Sequence, residues 1–96
     1  MLQSTDPATI TRISPQTPHE SWIPQTVTFN CEAEGVPLPT ITWKKADRSE
    51  IKKVTATQNT ENVQMNRDSD FGTHTCEAGN GIGAAATRRV EVKQIS

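Results

Sequence analysis

Two cysteines and two histidines are the side chains of this 96-residue sequence best suited to bond formation or metal ligation. Cys31 and Cys76 can form one intramolecular disulfide, stay as a thiol pair, or belong to an incomplete metal site. Structural zinc takes four Cys or His ligands, usually with at least two residues between neighbours. The chain offers only Cys31, Cys76, His19 and His74, and His74-x-Cys76 is too closely spaced. A disulfide here would close a loop of about 46 residues, worth about 4 kcal/mol by chain entropy. Nucleophilic catalysis finds no Ser-His-Asp arrangement. Asp68 and Asp70 stand two apart in the turn cluster Asn66–Gly72, where paired carboxylates have no cleft to serve. Gly79 to Gly83 joins strands and opens no helix, so it is not a phosphate loop. Function must be argued from a site. With none of these present, the expectation is a protein without enzymatic activity, cofactor or metal.

The elements that position these residues are strands. Val27, Phe29, Cys31 and Ala33 alternate with Thr28, Asn30 and Glu32, the pattern of a half-buried strand. Thr40–Lys44 repeats it with Ile41 and Trp43 inward. Thr73–Ala78 repeats it with His74, Cys76 and Ala78 inward. Val63 with Met65 and Val90 with Val92 mark two more strands, and Ile10 and Ile13 a first, less regular one. Residues 46–60 are polar and weakly patterned, anchored only by Ile51 and Val54. Gly35-Val36-Pro37-Leu38-Pro39 separates two strands, because proline cannot donate to a central ladder. Asn80-Gly81 suits a tight hairpin. Six or seven short alternating strands predict an all-β antiparallel sandwich. The hydrophobic fraction is 32%, with two Trp, two Phe and no Tyr. That supports one small core, for which a covalent staple would be useful. Residues 1–6 read as a disordered tail, 7–94 as a single domain and 95–96 as a second tail.

Cys31, Trp43 and Cys76 reproduce the Cys…Trp…Cys spacing of immunoglobulin domains. Asp70-Phe71-Gly72-Thr73-His74-Thr75-Cys76 resembles that family's Asp-x-Gly-x-Tyr-x-Cys. Gly35-x-Pro37-x-Pro39-x-Ile41-x-Trp43 and Cys76-x-Ala78-x-Asn80-x-x-Gly83 resemble passages of its intermediate (I) set. The resemblance implies an immunoglobulin-like Greek-key β-sandwich of two antiparallel sheets, with a Cys31–Cys76 bond between them and Trp43 pinned against it. It also implies a corner built on Asp70, Gly72 and His74. Asp70 would pair with a base such as Lys52 or Lys53. His74 replaces the family's corner Tyr, and the short interval between the cysteines implies no well-developed strand directly after Thr40–Lys44 (the family's C′ strand).

Two environments are open to His74. Burial without a carboxylate lowers its pKa, which is the expectation adopted, and pairing with Asp70 would raise it. The outward faces offer Thr42, Lys44, Thr75, Glu77 and Arg89 to a partner, although polar outer residues are also the ordinary dress of a solvated sheet. Trp22 either caps the end of the core, the preferred reading, or projects as an anchor for a neighbour. Only one of Trp22 and Ile23 is expected to point inward. Asn80 serves the hairpin or, alternatively, a partner.

Lys plus Arg is 10 and Asp plus Glu 11, a net charge of −1. That balance provides no basic footprint for nucleic acid. No apolar run reaches membrane-span length, and Met1–Asp6 has no basic n-region or apolar h-region, so neither a membrane insertion nor a signal peptide is expected. No Asn-x-Ser/Thr sequon occurs. By resemblance, the chain is expected to bind proteins, homophilically or heterophilically, among neighbouring domains of a tandem array. An extracellular adhesion molecule or receptor is the first setting. A cytoplasmic cytoskeletal or sarcomeric spacer is the alternative, and an oxidised cysteine pair discriminates between them.

Overall fold

A computed structural model describes residues 4–95. The chain runs β1 (Asp6–Ser14), β2 (His19–Ser21), β3 (Gln25–Val36), β4 (Thr40–Lys44), β5 (Glu50–Thr55), β6 (Gln58–Met65), a 3-10 turn (Asp68–Asp70), β7 (Gly72–Gly79) and β8 (Ala86–Gln94). These form a three-stranded sheet, β1-β3-β6, against a five-stranded sheet, β2-β8-β7-β4-β5. Among the described residues, all pairings are antiparallel except β2 with β8. Pro15 and Pro18 cannot extend the β1 ladder. Past them the chain crosses to the opposite sheet, where Thr17 Oγ1 accepts from Glu91 N at 2.9 Å.

Alternation placed the core correctly. Val27, Phe29, Cys31, Ala33, Ile41, Trp43, Val63, Met65, Cys76, Ala78, Val90 and Val92 are all buried, and His74 with them. Cys31 on β3 and Cys76 on β7 are bonded, so the staple joins the two sheets. Trp43 lies directly opposite Cys76 in the β4–β7 register. Its ring packs on Phe29 at 5.2 Å, and Nε1 donates to Asn59 O at 2.9 Å.

Three local expectations need correction. First, residues 50–55 do form a strand after β4. β5 pairs along β4 from Thr40↔Thr55 to Lys44↔Glu50, with a register shift between Trp43 and Lys44. The extra residue breaks the two-residue period, so Ile51 and Val54, three apart, both pack against the core. Second, β7 and β8 are joined through Asn80–Ala85, and not by a two-residue Asn-Gly turn. Gly81 and Gly83 both take positive φ, at 81° and 69°. Third, β1 opens at Asp6, opposite Val36, inside the segment read as a tail. At the other end Ile95 N donates to Ser21 O at 2.8 Å. Residues 1–3 and 96 of the expected tails lie outside the described residues.

Candidate binding face

On the outer side of the five-stranded sheet, register alone assembles a surface. Thr42 stands opposite Glu77, Lys44 opposite Thr75, and Thr75 opposite Arg89. Four of the five expected face residues, Lys44, Thr75, Glu77 and Arg89, line one open depression of about 380 Å³. Thr42 belongs to the same side by register but is 7% exposed, so it forms floor and offers little contact. Thr73, Thr75 and Thr87 supply hydroxyls to the depression.

Its rim holds two cations that pattern reading missed, Lys45 and Arg48. They sit in the turn after β4. Lys45 N donates to Ser49 O, and Arg48 N donates back to Lys45 O, both at 2.9 Å. Asp47 Oδ1 accepts from Ser49 N at 2.9 Å and from Ser49 Oγ, which holds the Asp47 carboxyl below its usual range. Asp47-x-Ser49 is an Asx-turn signature and was the available clue. Arg48 adopts φ +71°, a left-handed conformation that L side chains take at a cost. Among the described residues lining the depression, four cations thus meet one carboxylate, Glu77, in a chain of net charge −1. The Lys44–Glu77 pair, at 3.5 Å and well exposed, contributes little to stability. The face is therefore positive, with a neutral hydroxyl floor.

The corner at the sheet end is structural. Asp70 Oδ2 accepts from Asn66 N at 2.8 Å and Arg67 N at 2.9 Å. The Asn66 amide is the main cause of its lowered pKa, with the Arg67 amide and charge assisting against desolvation. Lys52 and Lys53, expected as partners for Asp70, bond Glu61 and Glu50 instead. Gly72 has φ +123°, and a Cβ there would meet Ala46 Cβ at 2.9 Å. His74 is 1% exposed and stacks on Phe29 at 4.6 Å, with Nδ1 3.3 Å from Gly72 O. Burial lowers its pKa from 6.5. The Gly72 carbonyl and, last, Asp70 oppose that shift without reversing it. So the imidazole is buried and neutral, as expected, and bonds backbone in the place of the corner Tyr.

Trp22 does not cap the core. Ser21 is the fully buried residue at that point, and its Oγ bonds Gln25 Oε1. β2 ends there, so both Trp22 (48% exposed) and Ile23 (38%) face outward. They form a small apolar surface with Gln94 and Ile95. Asn80 joins neither surface. Its Nδ2 donates to Asp6 O at 2.7 Å and Pro37 O at 3.0 Å, tying the β7–β8 connection to β1 and to the β3–β4 loop.

Asn59 was also missed. It is 1% exposed, and Nδ2 donates to Ile41 O at 2.9 Å and Lys52 O at 3.0 Å. With the Trp43 bond to its own carbonyl, it links β6 to β4 and β5 across the sandwich. A polar residue within a polar stretch gives no pattern by which to find it.

A profile of the immunoglobulin domain family matches residues 7–80. Among curated proteins, the chain is 33% identical over 69 residues to Lachesin of Drosophila melanogaster, covering 70% of this chain and 19% of that protein. It is 31% identical over 77 residues to the cell adhesion molecule Dscam2 of the same organism, covering 70% of this chain and 4% of that one. The chain thus spans a small part of the relatives it matches. Its fold is similar to a chain of the complex of Dpr11 IG1 bound to DIP-gamma IG+IG2 (TM-score 0.76, 22% identity, 96% of this chain and 49% of that). It is also similar to titin A164-A165 (TM-score 0.77, 18% identity, 98% and 50%). At those identities the likeness is one of fold.

Proposed function

The chain belongs to the immunoglobulin domain family, and on that premise we propose that it is a non-enzymatic protein-binding module, one unit of an extracellular adhesion molecule or receptor. The observation that carries this reading is the open cationic face of the five-stranded sheet, built on a scaffold whose sheets are joined by the Cys31–Cys76 bond. A disulfide persists in an oxidising compartment, which favours the extracellular setting over the sarcomeric one. The similarity to a cell adhesion molecule points the same way.

Lys44, Lys45, Arg48, Thr75, Glu77 and Arg89 form the partner surface in this reading. Positive charge there steers an acidic partner and sets association rate and salt sensitivity more than it sets affinity. Residues 6–95, from the first residue of β1 to the Ile95 bond with Ser21, act as one domain. Trp22, Ile23 and Ile95 at one end of β3, and Val36 and Leu38 at the other, are exposed apolar surfaces suited to neighbouring domains in an array.

The test is binding of the multimerised domain to intact cells. Lys45→Glu with Arg89→Glu is expected to abolish salt-sensitive binding, while Trp22→Ala leaves it unchanged. Equal binding by the charge-reversed and unaltered domains would reject this face.

A further inference from the structure

Asparagine can react with its own chain when the next amide nitrogen reaches its side-chain carbonyl carbon, one reason it counts among the thermolabile residues. A side chain on the following residue hinders that approach, and glycine has none. The sequence holds five asparagines, followed by Cys31, Thr60, Val63, Arg67 and Gly81. Only Asn80 precedes glycine. Asn30, Asn59 and Asn62 lie inside β3 and β6, where the ladder fixes the backbone. Asn80 stands one residue past Gly79, the last paired position of β7. Gly81 is exposed, and a Cβ there would meet nothing within 4 Å. Among the described residues its N–H makes no backbone hydrogen bond, so the nitrogen is accessible.

The carboxamide of Asn80 is a fastening. Ile82 N donates to its Oδ1 at 3.1 Å, which polarises the carbonyl. Its Nδ2 donates to Asp6 O at 2.7 Å and to Pro37 O at 3.0 Å. Gly35 permits this close approach, since a Cβ there would meet Asn80 Nδ2 at 2.9 Å. One amide thus gathers the first residue of β1, the β3–β4 loop and the β7–β8 connection at a single end of the sandwich. Val36 and Leu38 are exposed at that same end.

We propose that Asn80 is a site of spontaneous covalent modification, a timer that unfastens this end of the domain. Gly81 N, losing its proton to solvent base, attacks Asn80 Cγ. The Cγ–Nδ2 bond breaks, and the nitrogen takes a proton from water and leaves as ammonia, giving a five-membered succinimide. Water then opens either ring carbonyl, to aspartate or to isoaspartate at position 80. No electrons are exchanged: one water enters and one ammonia leaves. Either product carries a carboxylate, ionised at neutral pH, where the amide was. It has no proton to donate, so Asp6 O and Pro37 O lose their donor and face an anion. Isoaspartate also lengthens the backbone by one carbon at that point. The same two bonds meter the reaction. The amide must leave both carbonyls before Cγ can turn towards Gly81, which slows the folded protein about thirtyfold relative to the unfolded chain. The site is separate from the cationic face and does not depend on it.

Purified protein held for weeks in mildly alkaline buffer at body temperature should gain about one dalton in the peptide that contains Asn80, with aspartate and isoaspartate separated by peptide mapping. The same chain in urea, its disulfide intact, should react about thirtyfold faster. In the aged protein, hydrogen exchange should be at least about tenfold faster at residues 6–9 and 34–36, and unchanged at Ile95 at the far end. Asn80→Asp should show that exchange pattern without ageing. Gly81→His, a residue that tolerates positive φ and crowds the nitrogen, should abolish both the mass gain and the loosening on ageing. A folded chain still unmodified after about a hundred half-lives of the urea sample, or one that reacts as fast folded as in urea, would overturn the proposal. So would modification at Asn80 with exchange at residues 6–9 and 34–36 unchanged.

Discussion

Replacing Asn59 by Asp changes one nitrogen to oxygen and tests the join between the sheets. In the native side chain, Nδ2 satisfies the carbonyls of Ile41 and Lys52, and Oδ1 is buried without a partner. Those two carbonyls fix the amide orientation, since a flip would set oxygen against oxygen. An ionised carboxylate at this position would lose both bonds, at about 1 kcal/mol each, and leave buried acceptors facing a buried anion. The expected loss at neutral pH is about 3–5 kcal/mol, a large part of a small domain's stability. Protonated, the carboxyl can donate to one carbonyl, so its folded pKa rises above the unfolded value of about 3.9. A raised pKa gives stability that is present below the unfolded value and is lost as pH rises through the folded one. The deficit relative to wild type should therefore shrink on acidification. Asn59→Leu removes both bonds and the orphaned oxygen together, and should cost about 2 kcal/mol with no such pH dependence. Urea denaturation of the three proteins at several pH values reads these differences. An Asn59→Asp variant within about 1 kcal/mol of wild type at neutral pH, or a deficit that grows on acidification, would refute the reasoning.

The remaining expectations concern staple, corner and turn. Cys31→Ala with Cys76→Ala should lower stability by about 2–5 kcal/mol in denaturant titrations, close to the roughly 4 kcal/mol that chain entropy gives for a sequence separation of 45. Because the His74 pKa is lowered from 6.5, its contribution is fully present above that pH and declines as pH falls towards the folded value. His74→Gln should flatten the stability profile between about pH 7 and 5, and an NMR midpoint for His74 above about 6.5 would contradict this assignment. Arg48→Gly relieves the positive φ and should raise stability by about 1 kcal/mol in thermal or urea melts, even as it removes a cation from the face.

The sequence was legible where one physical rule acted alone. Burial on one face of a paired strand forces alternation, so β3, β4 and β7 could be read directly, and Cys31, Trp43 and Cys76 with them. Where two rules overlapped, reading failed. The shift between Trp43 and Lys44 erased the period of β5. Asn59 is buried because of its donors, which hydrophobic patterning does not register. Trp22 was expected to cap the core in preference to projecting, yet strand parity and the end of β2 decide orientation there, and they bury Ser21. The cationic face was half visible. Register placed Lys44, Thr75, Glu77 and Arg89 together, whereas Lys45 and Arg48 arrive through a turn whose geometry depends on Asp47 and Ser49.

The proposed extracellular setting is tested most directly by the state of the two sulfurs in living material. Intact cells expressing the protein would be treated with a thiol-alkylating reagent before lysis, and the chain weighed without reduction. The account expects Cys31 and Cys76 unmodified and the chain two hydrogens lighter than its thiol form. Alkylation of both cysteines would contradict it and place the domain in a reducing compartment.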